Sequence, residues 1–269
     1  MLASLRRLLG SSEAPARSAP SVPEGTRFYA IGDVHGRRDL FDALVSAIET
    51  DDARVGPADT TIVLLGDLVD RGPDSAGVVD SAMQLAARRP VVMLVGNHEE
   101  MFLDSFEDSG VLRHFLRHGG RETVLSYGIP RARYDEASLE EVQAMMAQYV
   151  PAAHRSFLSG GSDQMAAGDY LFVHAGIAPG VPLDEQKPHH LRWIREPFLE
   201  HAGMHEMFVV HGHTITDDID RRANRIGIDT GAYRSGRLTA LVLEGAGRRL
   251  IQAVEGEAGI EIENRDCPQ

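Results

Sequence analysis

Three apolar runs, RFYAIGDVHG at 27–36, TTIVLLGDLVDRG at 60–72 and PVVMLVGNHE at 90–99, end alike: aliphatic residues, a glycine, then Asp or Asn. Between the first two, Leu40, Phe41, Leu44, Val45 and Ile48 recur at helical spacing, and residues 75–89 form a second such stretch. Strands alternating with helices of this length predict βαβ units, whose right-handed connections lay a parallel sheet with both faces covered. The unbroken runs IVLL and VVMLV fit strands buried on both sides.

Residues 102–168 lose this rhythm. Helical patterns at 111–116 and 138–149 are punctuated by Gly119–Gly120 and Gly128–Pro130, which predicts a helical, cap-like insertion. Strand patterns then resume at 169–176, 207–214, 225–231 and 237–245, with 249–255 read as the last. Their closer spacing predicts a second, partly antiparallel sheet. Residues 26–255 are therefore expected to form one domain, between a flexible tail at 1–25 and a C-terminal tail at 256–269. In the first tail Leu2, Leu5, Leu8 and Leu9 fit one face of a short amphipathic helix, but Arg6 and Arg7 interrupt any signal-peptide core. No stretch is long enough to span a bilayer, so a cytoplasmic protein is expected.

Net charge is −13 with a pI near 5.3, which argues against nucleic-acid or anionic-membrane binding. Any anionic substrate must instead meet a local positive centre. The single cysteine, Cys267, excludes an intramolecular disulfide and a thiolate zinc site.

Ligands collect at the carboxyl ends of strands in open α/β sheets. Six such ends here deliver Asp33 and His35; Asp67, Asp70 and Arg71; Asn97 and His98; His174; His211 and His213; and Asp229. Any one pair is a common accident. Their recurrence at strand ends predicts a metal site. Oxygen and imidazole donors suit Mn, Fe or Zn. So many donors imply two ions, roughly 3.5–4 Å apart and bridged by a carboxylate and solvent, a geometry suited to in-line displacement at phosphorus. Arg71 would neutralise phosphate charge.

GDVHG at 32–36, GDLVDRG at 66–72, GNHE at 96–99, VHAG at 173–176 and HGHT at 211–214 resemble the calcineurin-like metallophosphoesterase superfamily. Within it they are most similar to the bacterial and phage-type phosphoprotein phosphatases. The resemblance implies a four-layered α/β/β/α sandwich of two mixed β-sheets flanked by helices. It also implies two divalent ions, manganese before iron, zinc or nickel. By position, Asp33 and His35 bind the first ion, Asp67 bridges, and Asn97, His174 and His213 bind the second. His98 matches the general acid, oriented by Asp70, and Arg71 matches the phosphate-binding arginine. In LRWIREPF, Arg195 matches the second arginine, with Arg192 its competitor. Where many relatives carry a further histidine this chain has Ile215, the phosphoprotein phosphatase pattern. His211 reads as structural, and Tyr233 as a residue near substrate. The implied activity is a serine/threonine protein phosphatase. Alternatives are a symmetrical diadenosine tetraphosphatase, a broad phosphomonoesterase and, from another class, a non-catalytic scaffold. Arg113, His114, Arg117, His118 and Arg121 form either a basic rim that selects phosphopeptides or polyphosphates, or a solvated helical face.

Overall fold

The computed structural model describes residues 19–267; the expected helix bearing Leu2 to Leu9 lies outside them. The chain runs β1 (Thr26–Ile31), α1 (Arg38–Val55), β2 (Asp59–Leu64), α2 (Ser75–Ala86) and β3 (Val91–Met93). Six helices follow: α3 (Asn97–Asp104), α4 (Ser109–Phe115), α5 (Arg121–Ser126), α6 (Arg131–Asp135), α7 (Leu139–Tyr149) and α8 (Ala152–Ser159). Then come β4 (Gln164–Ala167), β5 (Tyr170–Val173), α9 (Pro188–Trp193), β6 (Phe208–His211), β7 (Asp220–Arg221) and β8 (Arg225–Gly227). The chain ends with α10 (Ala232–Ser235), β9 (Arg237–Glu244), β10 (Gly247–Gly256) and β11 (Gly259–Asp266).

One sheet has the order β11-β10-β9-β1-β2-β3, the other β4-β5-β6-β8-β7. Strands β1, β2 and β3 are mutually parallel, as are β5, β6 and β8. Side chains alternate across a strand, and that alternation builds the layers. On β1, Tyr29 and Ile31 enter a core shared with α1 and α2, while Phe28 and Ala30 face the second sheet. On β5, Tyr170 and Phe172 complete the inter-sheet core, while Leu171 and Val173 pack outward with Leu191 and Phe198. Helices, two mixed sheets and a thinner helical cover thus form the expected sandwich.

Four expectations are corrected. The runs at 237–245 and 249–255 join the first sheet rather than the second. β9 pairs antiparallel with β1, because Ala240 and Val242 supply one core and Leu241 and Leu243 the other. Residues 259–266 are a strand, paired with β10 from Arg249↔Asp266 to Gly256↔Gly259. Its polar sequence GIEIENRD hides the strand, and its charges suit an exposed edge. At the other end, Ser21 and Val22 are packed: Val22 is buried, its N–H donates to Gly245 O (3.0 Å), and Asp169 N donates to Ser21 O (2.8 Å). Finally, the helical insertion is no separate cap. Phe102, Phe115, Val142 and Leu158 share one core with α1 and α2, and its last residues form β4.

Candidate metal centre

The parallel strands of both sheets point their carboxyl ends the same way, and the polar side chains converge there. Five non-glycine residues among those described have positive φ: His35, Asp67, Asp70, Arg71 and His213. All five belong to this centre. Such backbone costs on the order of 1–3 kcal/mol each and persists only where the surroundings enforce it. Two glycines give the carboxylates room. A Cβ at Gly96 would lie 2.1 Å from Asp67 Oδ1, and one at Gly212 would lie 2.0 Å from Asp33 Oδ1.

Two groups of buried donors meet: His35, Asp67 and His98, and Asp67, His174 and His213, with ligand atoms in each group within 4.8 Å of one another. Asp67 is common to both. Its Oδ2 lies 3.6 Å from His35 Nε2, 3.9 Å from His98 Nε2 and 3.5 Å from His174 Nε2. His35 Nδ1 donates to Val69 O (2.7 Å) and His174 Nδ1 to Leu65 O (2.8 Å), which leaves each Nε2 lone pair for the centre. Asn97 Oδ1 is 3.0 Å from His174 Nε2. The Asp33 carboxylate accepts from His213 N at 3.0 and 3.1 Å.

His98 Nδ1 donates to Asp70 Oδ2 at 2.5 Å. The other oxygen of Asp70 accepts from Thr123 Oγ1 (2.6 Å), and Asp70 N donates to Thr123 Oγ1 and Ser75 Oγ. Arg71 Nη1 and Nη2 donate to the Nε2 atoms of His35 and His98, at 2.8 and 2.9 Å. Tyr233 lies beneath that guanidinium, 5.0 Å from its centre to the ring.

Burial sets the titration. It lifts the carboxyl of Asp33 well above its usual range, with the charges of Asp229 and Asp67 adding to the shift. It also raises Asp67 and pushes Asp229 up to about 6. The same burial lowers His98 and His174 to about 4, and holds His35 well below its ordinary value. Crowded carboxylates short of positive charge, beside neutral imidazoles, form a donor set suited to divalent cations. Two of its buried atoms, His213 Nε2 and Asp229 Oδ2, have no hydrogen-bond partner among the described residues. The residues fit the ions.

The two arginines of LRWIREPF differ. Arg192 is tied to Glu100 (2.8 Å) and Asp163 (2.6 Å). Arg195 is exposed, and its charge bears on His174, His213 and Asp229. His211 faces away, 3.1 Å from Arg225 Nη1 and against Phe198. Glu99 was not assigned from sequence, yet it accepts from Asp67 N (2.7 Å), Leu68 N (2.8 Å) and Gly96 N (2.9 Å). Its spacing, three residues after the helix N-cap, is the sequence signal by which it could have been found. Thr123, from the insertion, had no such signal.

Two donor groups joined by one carboxylate, where two sheets meet, define a metal-dependent phosphoesterase. A family model for calcineurin-like phosphoesterases matches residues 26–231, and the chain belongs to that family. The family uses divalent metal ions, and the protein is a phosphatase. An asymmetrical bis(5'-nucleosyl)-tetraphosphatase of Anoxybacillus flavithermus is 27% identical over 78% of this chain and 88% of its own length. Serine/threonine-protein phosphatase 1 of Salmonella typhimurium is 28% identical over 78% and 89%. A symmetrical bis(5'-nucleosyl)-tetraphosphatase of an Acidovorax species is 31% identical over 65% of this chain, which spans 48% of that relative. Among solved structures, a cold-active protein tyrosine phosphatase superposes with a TM-score of 0.57 at 20% identity, covering 90% of this chain and 81% of its own. A provisionally assigned diadenosine tetraphosphatase reaches 0.60 at 21%, covering 93% and 99%. At that identity the likeness is one of fold. No helix among the described residues is long and apolar enough to cross a membrane.

Proposed function

We propose that the protein is a serine/threonine protein phosphatase of the cytoplasm that works with two divalent ions, manganese first, with iron, zinc or nickel as substitutes. Asp33, His35 and Asp67 would hold one ion, and Asp67, Asn97, His174 and His213 the other. Ions held there supply Lewis acidity and lower the pKa of the attacking water. Arg71 and Arg195 bind the phosphoryl oxygens and turn the leaving oxygen toward His98. Alone, His98 is neutral; a phosphate dianion against Nε2 favours its charged form, so the ring takes up a proton from solvent as substrate binds. That proton passes from Nε2 to the leaving alkoxide as the P–O bond breaks, while the Asp70 carboxylate holds the ring in line.

The observation that carries the choice of substrate is the charge around the centre. Two arginines balance one phosphoryl group, and the adjoining wall carries the exposed carboxylate of Asp104, which has no ion pair among the described residues, where further phosphates would be repelled. A second reading, a dinucleoside polyphosphate hydrolase, draws on α4 and the turn that follows it. There Arg113 and Arg117 are exposed without an ion pair among the described residues, and Gly119 O accepts from Arg71 N (3.0 Å). The test is turnover of a phosphoserine peptide, diadenosine tetraphosphate and an aryl phosphate side by side under Mn²⁺. The proposal expects the peptide to have the highest kcat/KM; a higher value for the dinucleotide overturns it.

A further inference from the structure

Beside the centre, α3, α4 and the end of α9 enclose a cleft of about 270 Å³, lined by Glu100, Met101, Asp104, Val111, His114 and Trp193. Its wall combines three chemistries. Met101 and Val111 are apolar. Trp193 offers an aromatic ring, anchored by its indole N–H donating to Glu100 Oε1 (3.0 Å). The third is negative charge. Glu100 is already engaged by Arg192 and Trp193, but Asp104 is exposed and has no ion pair among the described residues. Its carboxyl is held above the usual range by burial and by the neighbouring charges of Glu100 and Asp108, with Arg192 opposing. His114 does not offset this charge: burial, His118 and Arg117 keep its pKa below the ordinary histidine value.

An apolar floor, an aromatic ring and an unpaired carboxylate are complementary to a cation on an aliphatic stem. We propose that this cleft receives an arginine or lysine side chain flanking the phosphorylated residue of a peptide substrate. The stem would lie on Met101 and Val111, and the head would sit between Trp193 and Asp104. This rests on the protein phosphatase reading and narrows it to peptides with basic neighbours. Along α3 the rise from His98 to Asp104 is about 9 Å, the reach of about three extended residues.

The test compares phosphoserine peptides carrying Arg, Leu or Ala at the second and third positions on both sides, under Mn²⁺, with an aryl phosphate as reference. An exposed ion pair plus a cation–π contact amount to roughly 5–10-fold, so kcat/KM for the Arg peptide should exceed that for Ala by that factor. The ratio should fall toward one in Asp104→Asn and invert in Asp104→Lys, with thermal melts reporting that each variant is folded. Should Asp104→Lys fail to fold, the near-isosteric Asp104→Asn decides alone. Equal rates for the three peptides, a preference for Leu, or a ratio untouched by Asp104→Asn overturns the proposal. If the aryl phosphate is hydrolysed and no peptide is, the protein phosphatase reading falls and the cleft assignment falls with it.

Discussion

At the ends of β1, β2 and β3 the centre receives Asp33, His35, Asp67, Asp70, Arg71, Asn97 and His98; at the ends of β5, β6 and β8 it receives His174, His213 and Asp229. The first group is braced by the protein itself. Glu99 gathers three backbone N–H groups around the Asp67 loop, and Thr123 and Ser75 fix Asp70. The second group leaves His213 Nε2 and Asp229 Oδ2 without hydrogen-bond partners among the described residues. Four of the five left-handed residues also lie in the first group. One half of the centre is thus pre-organised by folding, and the other is completed by what binds between the halves.

The sharpest break in this comparison is Asp67→Ala, which removes the carboxylate common to both groups. It should lower kcat by roughly 10³-fold or more and reduce bound metal, read by elemental analysis. His98→Asn should cost roughly 10²–10⁴-fold in kcat with metal content intact; loss of metal would move His98 into the ligand set. Glu99→Ala tests the bracing: three unpaired buried N–H groups should cost about 1–3 kcal/mol each, lowering Tm with or without metal. His213→Ala is its counterpart. It should leave the metal-free Tm nearly unchanged and remove most of the rise in Tm that Mn²⁺ brings. An equal loss in both states would mean that the second half is also braced by the protein.

The smallest effect concerns acid. Burial holds His205 and His211 down at about 4, against 6.5 when free. The unfolded chain takes up protons first, so the stability these rings contribute is whole above pH 6.5 and shrinks as pH falls toward 4. Melting the Mn²⁺-loaded protein between pH 7 and pH 5 should show a decline that is shallower in His205→Asn.

The braced half was the more legible from sequence. Its residues follow buried strands directly, so aliphatic run, glycine and carboxylate stand contiguous, as in LLGDLVDRG. The parallel sheet with both faces covered was legible for the same reason, since strands buried on both sides announce two flanking layers; the four-layered sandwich followed from the resemblance those motifs carry. What escaped notice depends on distance along the chain. Thr123 reaches Asp70 across 53 residues from a helix whose pattern records only its own packing. β11 alternates only over Ile260 and Ile262 before turning wholly polar, too short a pattern to mark a strand. Arg192 and Arg195 stand three apart with the same chemistry, and only the carboxylates of Glu100 and Asp163 against Arg192 separate an ion-paired arginine from one with no ion pair among the described residues.

Ser21 and Val22, at the end of the molecule away from the centre, reach two different sheets: Val22 bonds to the β9–β10 turn and Ser21 to the start of β5. The inter-sheet wedge is therefore riveted at its base by hydrogen bonds of Ser21 and Val22, two of them to the Asp169 carboxylate, while at its mouth the side chains would close around a cation. Trimming the chain to Thr26 would remove the rivet, and hydrogen exchange at Asp169 and Tyr170 should then quicken while the ligand loops keep their protection.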